Sequence, residues 1–308
     1  MIKTRVLGPI ILLVSLAGIS CGGEDPNSVR VSLSDEQLIR QMHDARTDYY
    51  NSDNLAGLME TYSDEAVVLS GTLQVANGLD AIQELIGEEM LQAQGIQNNL
   101  KATLIFGSHA VLWGEYQWSG INSEDGSEMV TSGPYMMEVI QEGETWKVSR
   151  EMWTQDTEIQ GLEWDVIPEE FVENSEWSDE MDLLETLYNR RSPELMAELF
   201  SENALVGMPN FPTLEERGDV ETFFQNVFDD TSETTMDVSV RSATILDGEN
   251  VTLTGYLKTD GLATSPFEGR SRFLLLLELA NPFEVDAGED AEWQIRWMIA
   301  SGQALFPF

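Results

Sequence analysis

Apolar residues run along this chain in two rhythms, and the rhythms change in the same order twice. Leu38, Met42, Ala45 and Tyr49 recur every three or four residues behind Ser34-Asp35-Glu36, which predicts a helix with a polar N-terminal cap. A short second helix is predicted over Leu55 to Thr61, and AVVL at 66–69 has the unbroken apolar character of a buried strand. Gly78 then opens a helix whose inner face is Ile82, Leu85, Ile86 and Met90. Beyond it the strands LKATLIF, HAVLWGEYQW, EMVTSGPYMMEVIQE and TWKVSREMW follow one another. Turns are predicted near Gly107-Ser108, Glu124-Asp125-Gly126 and Glu142-Gly143.

The succession then returns. Leu184, Leu187 and Tyr188 lie on one helix, and Gly218 opens another with Val220, Phe223, Phe224, Val227 and Phe228 on one face. Strands MDVSVRSATIL, NVTLTGYLKT, GRSRFLLLLEL and EWQIRWMI close the second round. YSDEAVVL at 62–69 is echoed by FSENALVG at 200–207. Without gaps, Tyr50 meets Tyr188, Glu60 meets Glu198, Ser63 meets Ser201, Ala66 meets Ala204 and Val68 meets Val206. A repeated order of elements argues for two copies of one unit. The predicted domains are 34–157 and 177–303, joined by an acid-rich linker at 158–176. Helices followed by a strongly bent antiparallel sheet make the fold class α+β, here two tandem cone-shaped α+β barrels with helices packed into a curved antiparallel sheet.

Charge narrows the partners. The 308 residues carry 55 Asp+Glu against 16 Lys+Arg, a net charge of −39, and only four residues are Lys. Such a surface repels phosphate backbones, so nucleic acid is not an expected partner. Asp64 and Glu65, where a helix turns into a strand, are read as facing water. At the N-terminus, Lys3 and Arg5 precede an apolar stretch from Val6 to Ile19, about 14 residues against the roughly 20 that a membrane span needs. Residues 1–20 therefore read as a signal peptide. The single cysteine, Cys21, cannot form an internal disulfide. Its position behind Gly18-Ile19-Ser20 resembles a bacterial lipoprotein signal, which implies lipid attachment at Cys21 and a tether over 21–33. The expected location is the cell envelope, membrane-anchored, on the periplasmic or surface face. Gly22, rather than Asp, leans toward the outer membrane.

The order of elements, with YSDEAVVL, the Gly78 helix and the final WKVSREMW strand, resembles the nuclear transport factor 2-like superfamily, in its polyketide cyclase (SnoaL-like) branch. The resemblance covers about 34–155 and 177–303. It implies a conical cavity and, in the enzyme members, general acid–base work inside it. The superfamily's steroid isomerases place their general base on Ser70 and their oxyanion-donating tyrosine on Arg46; in the second copy these positions are Met208 and Leu184. Neither copy carries the isomerase pair. Relatives with a His-x-His pair in the last strand have it where Arg150 and Met152 stand.

Period two places Trp146, Val148, Arg150 and Met152 on one strand face. With that face inward, Arg150 meets Arg46 in the first cone. Two guanidinium groups there call for an anion, so the expected ligand is small and amphipathic and carries a carboxylate. The candidate pocket is Arg46, Tyr50, Tyr62, Tyr135, Arg150 and Trp153. His43 and His109 are the only histidines, no HExxH or paired-cysteine spacing exists, and no GxSxG elbow exists. No metal or cofactor is expected, and His43 is read as a surface or cavity-edge residue. With Leu184 and Trp297 in place of Arg46 and Arg150, the second cone reads as filled. The two copies are expected to pair internally through their outer sheet faces, with FLLLLEL serving interface and core. The reading leans to binding or protein interaction without catalysis. Its alternative is an isomerase, cyclase or hydrolase acting on a small apolar substrate in the first domain.

Overall fold

Ser34 caps the first helix as its sequence predicts. In the computed structural model, its hydroxyl accepts from the Gln37 amide at 3.3 Å, and the Gln37 side chain accepts from the Ser34 amide at 2.9 Å. The residues described are 33–71, 75–121, 126–154, 177–209, 211–230, 234–260, 269–280 and 292–302. The signal peptide, Cys21 and the 158–176 linker lie outside them. No helix among the described residues is long and apolar enough to cross a membrane.

The innermost stripe of α1 (Asp35–Asn51) is Ile39, His43, Arg46 and Tyr50, one residue along from the predicted stripe. Leu38, Met42 and Tyr49 pack beside it, partly buried. Hydropathy alone sends His43 and Arg46 to water. They turn inward because the sheet beneath supplies hydrogen-bond partners for both. After α2 (Leu55–Met59) come β1 (Tyr62–Leu69), β2 (Val75–Asn77) and α3 (Leu79–Gln92), followed by β3 (Ala93–Phe106), β4 (His109–Ile121), β5 (Glu128–Glu142) and β6 (Thr145–Trp153). The sheet order is β2-β1-β6-β5-β4-β3; β1 and β6 are parallel and the other neighbours antiparallel. Ile82, Ile86 and Met90 of α3 pack with Leu112, Tyr116, Met137, Val139 and Val148 to form this half's core.

The second half runs α4 (Ser178–Asn189), α5 (Pro193–Glu198), β7 (Phe200–Gly207), α6 (Arg217–Asp230), β8 (Thr235–Ile245), β9 (Asn250–Asp260), β10 (Gly269–Leu279) and β11 (Trp293–Gly302). Its order, β7-β11-β10-β9-β8, repeats β1-β6-β5-β4-β3. The fold is therefore α+β, with two antiparallel-dominated sheets that each hold helices, as predicted. YSDEAVVL and FSENALVG share one burial pattern, with Asp64, Glu65, Glu202 and Asn203 exposed in both.

A β-bulge near the end of each half decides which side chains face inward. Glu138 pairs with Arg150, but Val139 pairs with Val148, leaving Ser149 as the extra residue. Alternation slips there by one. Trp146 and Val148 face the first half's core, whereas Arg150 and Met152 turn to the outer face. In β11 the same slip falls at Arg296, between the Leu276–Trp297 and Leu277–Ile295 pairs.

The outer faces of the two sheets meet. Leu69, Val111, Trp113, Met136 and Met152 form one apolar cluster with Leu274, Leu276, Trp297 and Ile299. The Trp113 and Trp297 rings lie 6.2 Å apart, centroid to centroid. FLLLLEL divides between two surfaces, as alternation requires: Phe273, Leu275 and Leu277 enter the second half's core, and Leu274 and Leu276 enter the contact between sheets. At Gly207 the two halves pack so closely that an added Cβ would sit 2.4 Å from the Pro134 ring.

Candidate functional site

A cavity of about 60 Å³ opens in the concave side of the first sheet. Helix α1 contributes Arg46 and Tyr50, α3 contributes Glu89 and Ile86, and the strands contribute Tyr62, Tyr116, Tyr135, Met137, Glu151 and Trp153.

Arg46 is held by three side chains. Its Nη2 donates to Glu151 Oε2 at 2.6 Å and to Tyr62 Oη at 2.8 Å, and its Nη1 donates to Thr61 Oγ1 at 2.7 Å. The guanidinium also lies over the Tyr62 ring, 4.4 Å from its centroid. Tyr62 donates to the same Glu151 oxygen at 2.5 Å. Burial favours deprotonated Arg46, but Glu151 and Tyr62 outweigh it, and the net shift of the guanidinium pKa is upward. Burial, reinforced by Glu151, raises the Tyr62 phenol well above its ordinary value, against the pull of Arg46. The trio is a neutralised brace between α1, β1 and β6.

Tyr50 and Tyr135 stand on other walls. The Trp118 indole donates to Tyr50 Oη at 2.9 Å, so the Tyr50 hydroxyl hydrogen remains available. Tyr135 Oη lies 2.6 Å from His43 Nε2, and the two rings stack with centroids 5.9 Å apart. Gly114 makes room for this tyrosine: a Cβ there would come 2.3 Å from Tyr135 Oη. Burial raises both phenol pKa values, helped by Glu89 at Tyr50 and by Glu151 at Tyr135.

Glu89 differs from the other acids of the site. It projects from α3 into the cavity wall and has no hydrogen-bond or ion-pair partner among the described residues. Burial, with the nearby charge of Glu151, pushes its carboxyl up to about 7. A carboxyl at that value is poised to take or give a proton near neutral pH.

No family model matches the chain, and no curated protein matches it. Solved structures do. A ketosteroid isomerase-like protein from Erwinia carotovora atroseptica shares 14% identity over 41% of this chain and 100% of its own, with a TM-score of 0.38. A conserved protein from Planctomyces limnophilus shares 14% over 39% of this chain and 95% of its own, at 0.36. A Nostoc punctiforme domain with a cystatin-like fold shares 18% over 39% of this chain and 71% of its own, at 0.33.

Of the residues expected in the pocket, Arg46, Tyr50, Tyr62, Tyr135 and Trp153 line the cavity, and Arg150 does not. The bulge at Ser149 turns Arg150 outward, where its Nη1 donates to Glu138 Oε2 at 2.7 Å and to Thr244 Oγ1 of the second half. Thr252 Oγ1 donates to the same Glu138 oxygen at 2.7 Å, and Ser149 Oγ donates to Glu138 Oε1 at 3.2 Å. This buried clamp joins the two halves. The expected pair of inward arginines is thus replaced by a single arginine that already has its carboxylate. Sequence reasoning also missed Glu89, Glu151 and His43. Glu89 stands seven residues after Ile82, on the inner stripe of its helix, and His43 sits between Ile39 and Arg46 on the stripe of α1. Among the described residues, no group of three or more His, Cys, Asp or Glu side chains is placed to hold a metal ion.

Proposed function

We propose that the first half is a small-molecule site built for proton transfer, in a chain exported and held at the cell envelope by lipid on Cys21. The observation that carries the chemistry is Glu89, a carboxyl without a hydrogen-bond or ion-pair partner among the described residues, at the wall of a cavity whose other charged groups, Arg46 and Glu151, are paired with each other, and with its pKa raised to about 7. Glu89 takes a proton from carbon next to a carbonyl. Tyr50, whose oxygen already accepts from Trp118, donates its free hydrogen to the carbonyl oxygen as charge develops there. Arg46 and Glu151 neutralise one another, so Glu89 leaves the site without spare positive charge. The substrate is therefore neutral and mostly apolar rather than a carboxylate. Its reacting end enters the cavity of about 60 Å³, and the rest of it lies in the open mouth. The second half repeats five strands of this sheet in the same order and, among the described residues, buries no acid in its core.

Proton abstraction is measurable without the natural substrate. Exchange of the α-protons of cyclopentanone for deuterium, followed by NMR in deuterated buffer, should be faster with the protein than without it. The rate should rise with pH through about 7. Glu89→Gln should lower it by about a hundredfold, the scale of general-base catalysis. An exchange rate indifferent to Glu89→Gln rules out the chemistry and leaves a pocket that binds without reacting. The anchor is tested by fractionation, in which Cys21→Ser should release the protein from membranes.

A further inference from the structure

Behind Tyr135 the polar contacts continue to the surface. His43 is 2% exposed, with Nε2 at 2.6 Å from Tyr135 Oη and Nδ1 at 3.3 Å from Asp44 Oδ1. The Asp44 side chain is 69% exposed. An ionised carboxylate only accepts hydrogen bonds, so the imidazole gives its Nδ1 hydrogen to Asp44 and keeps Nε2 bare. The Tyr135 hydroxyl then donates to Nε2. The charged groups that act on the ring are Asp44 and Arg46 of α1 and Glu151 of β6. Burial, aided by Arg46, lowers the His43 pKa against the carboxylates, so the ring is neutral at neutral pH. A neutral imidazole with one bare nitrogen and one N–H takes a proton on one side as it gives one up on the other. Packing does not demand His43 or Tyr135: Met181 and Phe273 hold the corresponding places in the second half's core.

We infer that Tyr135, His43 and Asp44 form a proton relay between the cavity and solvent, used when a bound ligand closes the cavity mouth to water. A proton arriving from the cavity binds Tyr135 Oη as the tyrosine's own proton moves to His43 Nε2. The Nδ1 proton passes to Asp44, which releases it to water. Passage in the opposite direction brings a solvent proton to the product and restores the starting tautomer. No group keeps a changed charge after the round trip.

The relay rests on the proton-transfer reading of Glu89, and its test keeps the two apart. The readouts are the His43 tautomer, from nitrogen NMR of histidine-labelled protein, and deuterium wash-in to cyclopentanone. His43→Gln preserves an acceptor for Tyr135 but cannot pass a proton through. It should slow wash-in about tenfold, within the range of lost acid–base assistance, without moving the pH midpoint set by Glu89. Asp44→Asn, a change at an exposed side chain, should slow it several-fold and serves if His43→Gln does not fold. The wild-type ring should show the Nδ1–H tautomer. An Nε2–H ring overturns the relay, as does wash-in that Glu89→Gln abolishes while His43→Gln and Asp44→Asn leave it at the wild-type rate. Absence of wash-in from the wild type overturns the reading of Glu89, and the relay then has nothing to carry.

Discussion

The two halves of this chain share one sheet order and one bulge, yet they fill their concave faces with opposite chemistry. Where α1 carries His43 and Arg46, α4 carries Met181 and Leu184. Tyr62 becomes Phe200, and Glu89 becomes Val227. Strand register extends the match. Tyr135 lies opposite Gly114 and Trp153, and Phe273 lies opposite Gly255 and Ala300. Glu151 faces Met137 across the sheet where Met298 faces Leu275. Even the glycines agree, since a Cβ on Gly255 would strike the Phe273 ring at 2.4 Å. The second half shows that this backbone closes on a concave face of apolar and aromatic side chains, with Tyr188, Phe224 and Phe228 in ring-to-ring contact. The polar set of the first half is therefore not a requirement of the fold. Buried ions are commonly less stable than apolar replacements of similar volume by about 1–4 kcal/mol, so such a set calls for a use.

The sharpest way to break this comparison is to move the first half toward the second. Glu151→Ala alone leaves Arg46 buried without its carboxylate and should cost about 3–5 kcal/mol in urea unfolding. The triple change Arg46→Leu, Tyr62→Phe and Glu151→Met copies the second half and should recover all of that loss. A triple variant less stable than Glu151→Ala would show that the two concave faces are not interchangeable.

Glu89 gives the next largest effect, and it depends on pH. Its folded pKa, about 7, lies above the ordinary 4.5, so between these values the folded state binds the extra proton. Stability attached to this group is thus fully present below pH 4.5 and is lost as pH rises through about 7. The loss is at most about 3 kcal/mol for a shift of this size. Glu89→Gln should be more stable than wild type at pH 8 by up to that amount, with the gap closing toward pH 4.5. A gap independent of pH would mean that the carboxylate is not desolvated.

The two halves also show what sequence can and cannot reveal. The helix-to-strand turn at YSDEAVVL was legible because two acids between apolar residues have one plausible placement. Tyr50, Tyr62, Tyr135 and Trp153 were legible as large side chains on the concave face. Arg150 and Glu151 exchanged roles because a single extra residue, Ser149, reverses strand alternation, and no local feature of KVSREM marks it. His43 and Glu89 were hidden differently. Their helical spacing was inward, but both are polar, so His43 was read as a surface or cavity-edge residue and Glu89 was not singled out. Their apolar counterparts Met181 and Val227 carried the missing signal, because an acid or histidine aligned with a core residue is itself inward.

The contact between the halves tests whether they are independent. Gly207→Ala would push a methyl against Pro134 and Trp113 and should cost about 1–3 kcal/mol, the usual penalty of overpacking. Its effect should appear as one cooperative unfolding transition shifted to lower urea, since the apolar cluster spans both sheets.

Thr252→Val should have the smallest effect, and it isolates the clamp from the packing. It removes one donor from Glu138, which keeps Arg150 and Ser149, so the expected cost is about 1 kcal/mol. Arg150 and Glu151 are neighbours on β6 with side chains on opposite faces, one in the clamp and one in the cavity. If the Arg150–Glu138 pair alone holds the bulge, Thr252→Val leaves the pH midpoint of cyclopentanone exchange at its wild-type value. A shifted midpoint would mean that the second half tunes the field at Glu89 through Glu151, and the filled cone would then be part of the first half's chemistry rather than only its support.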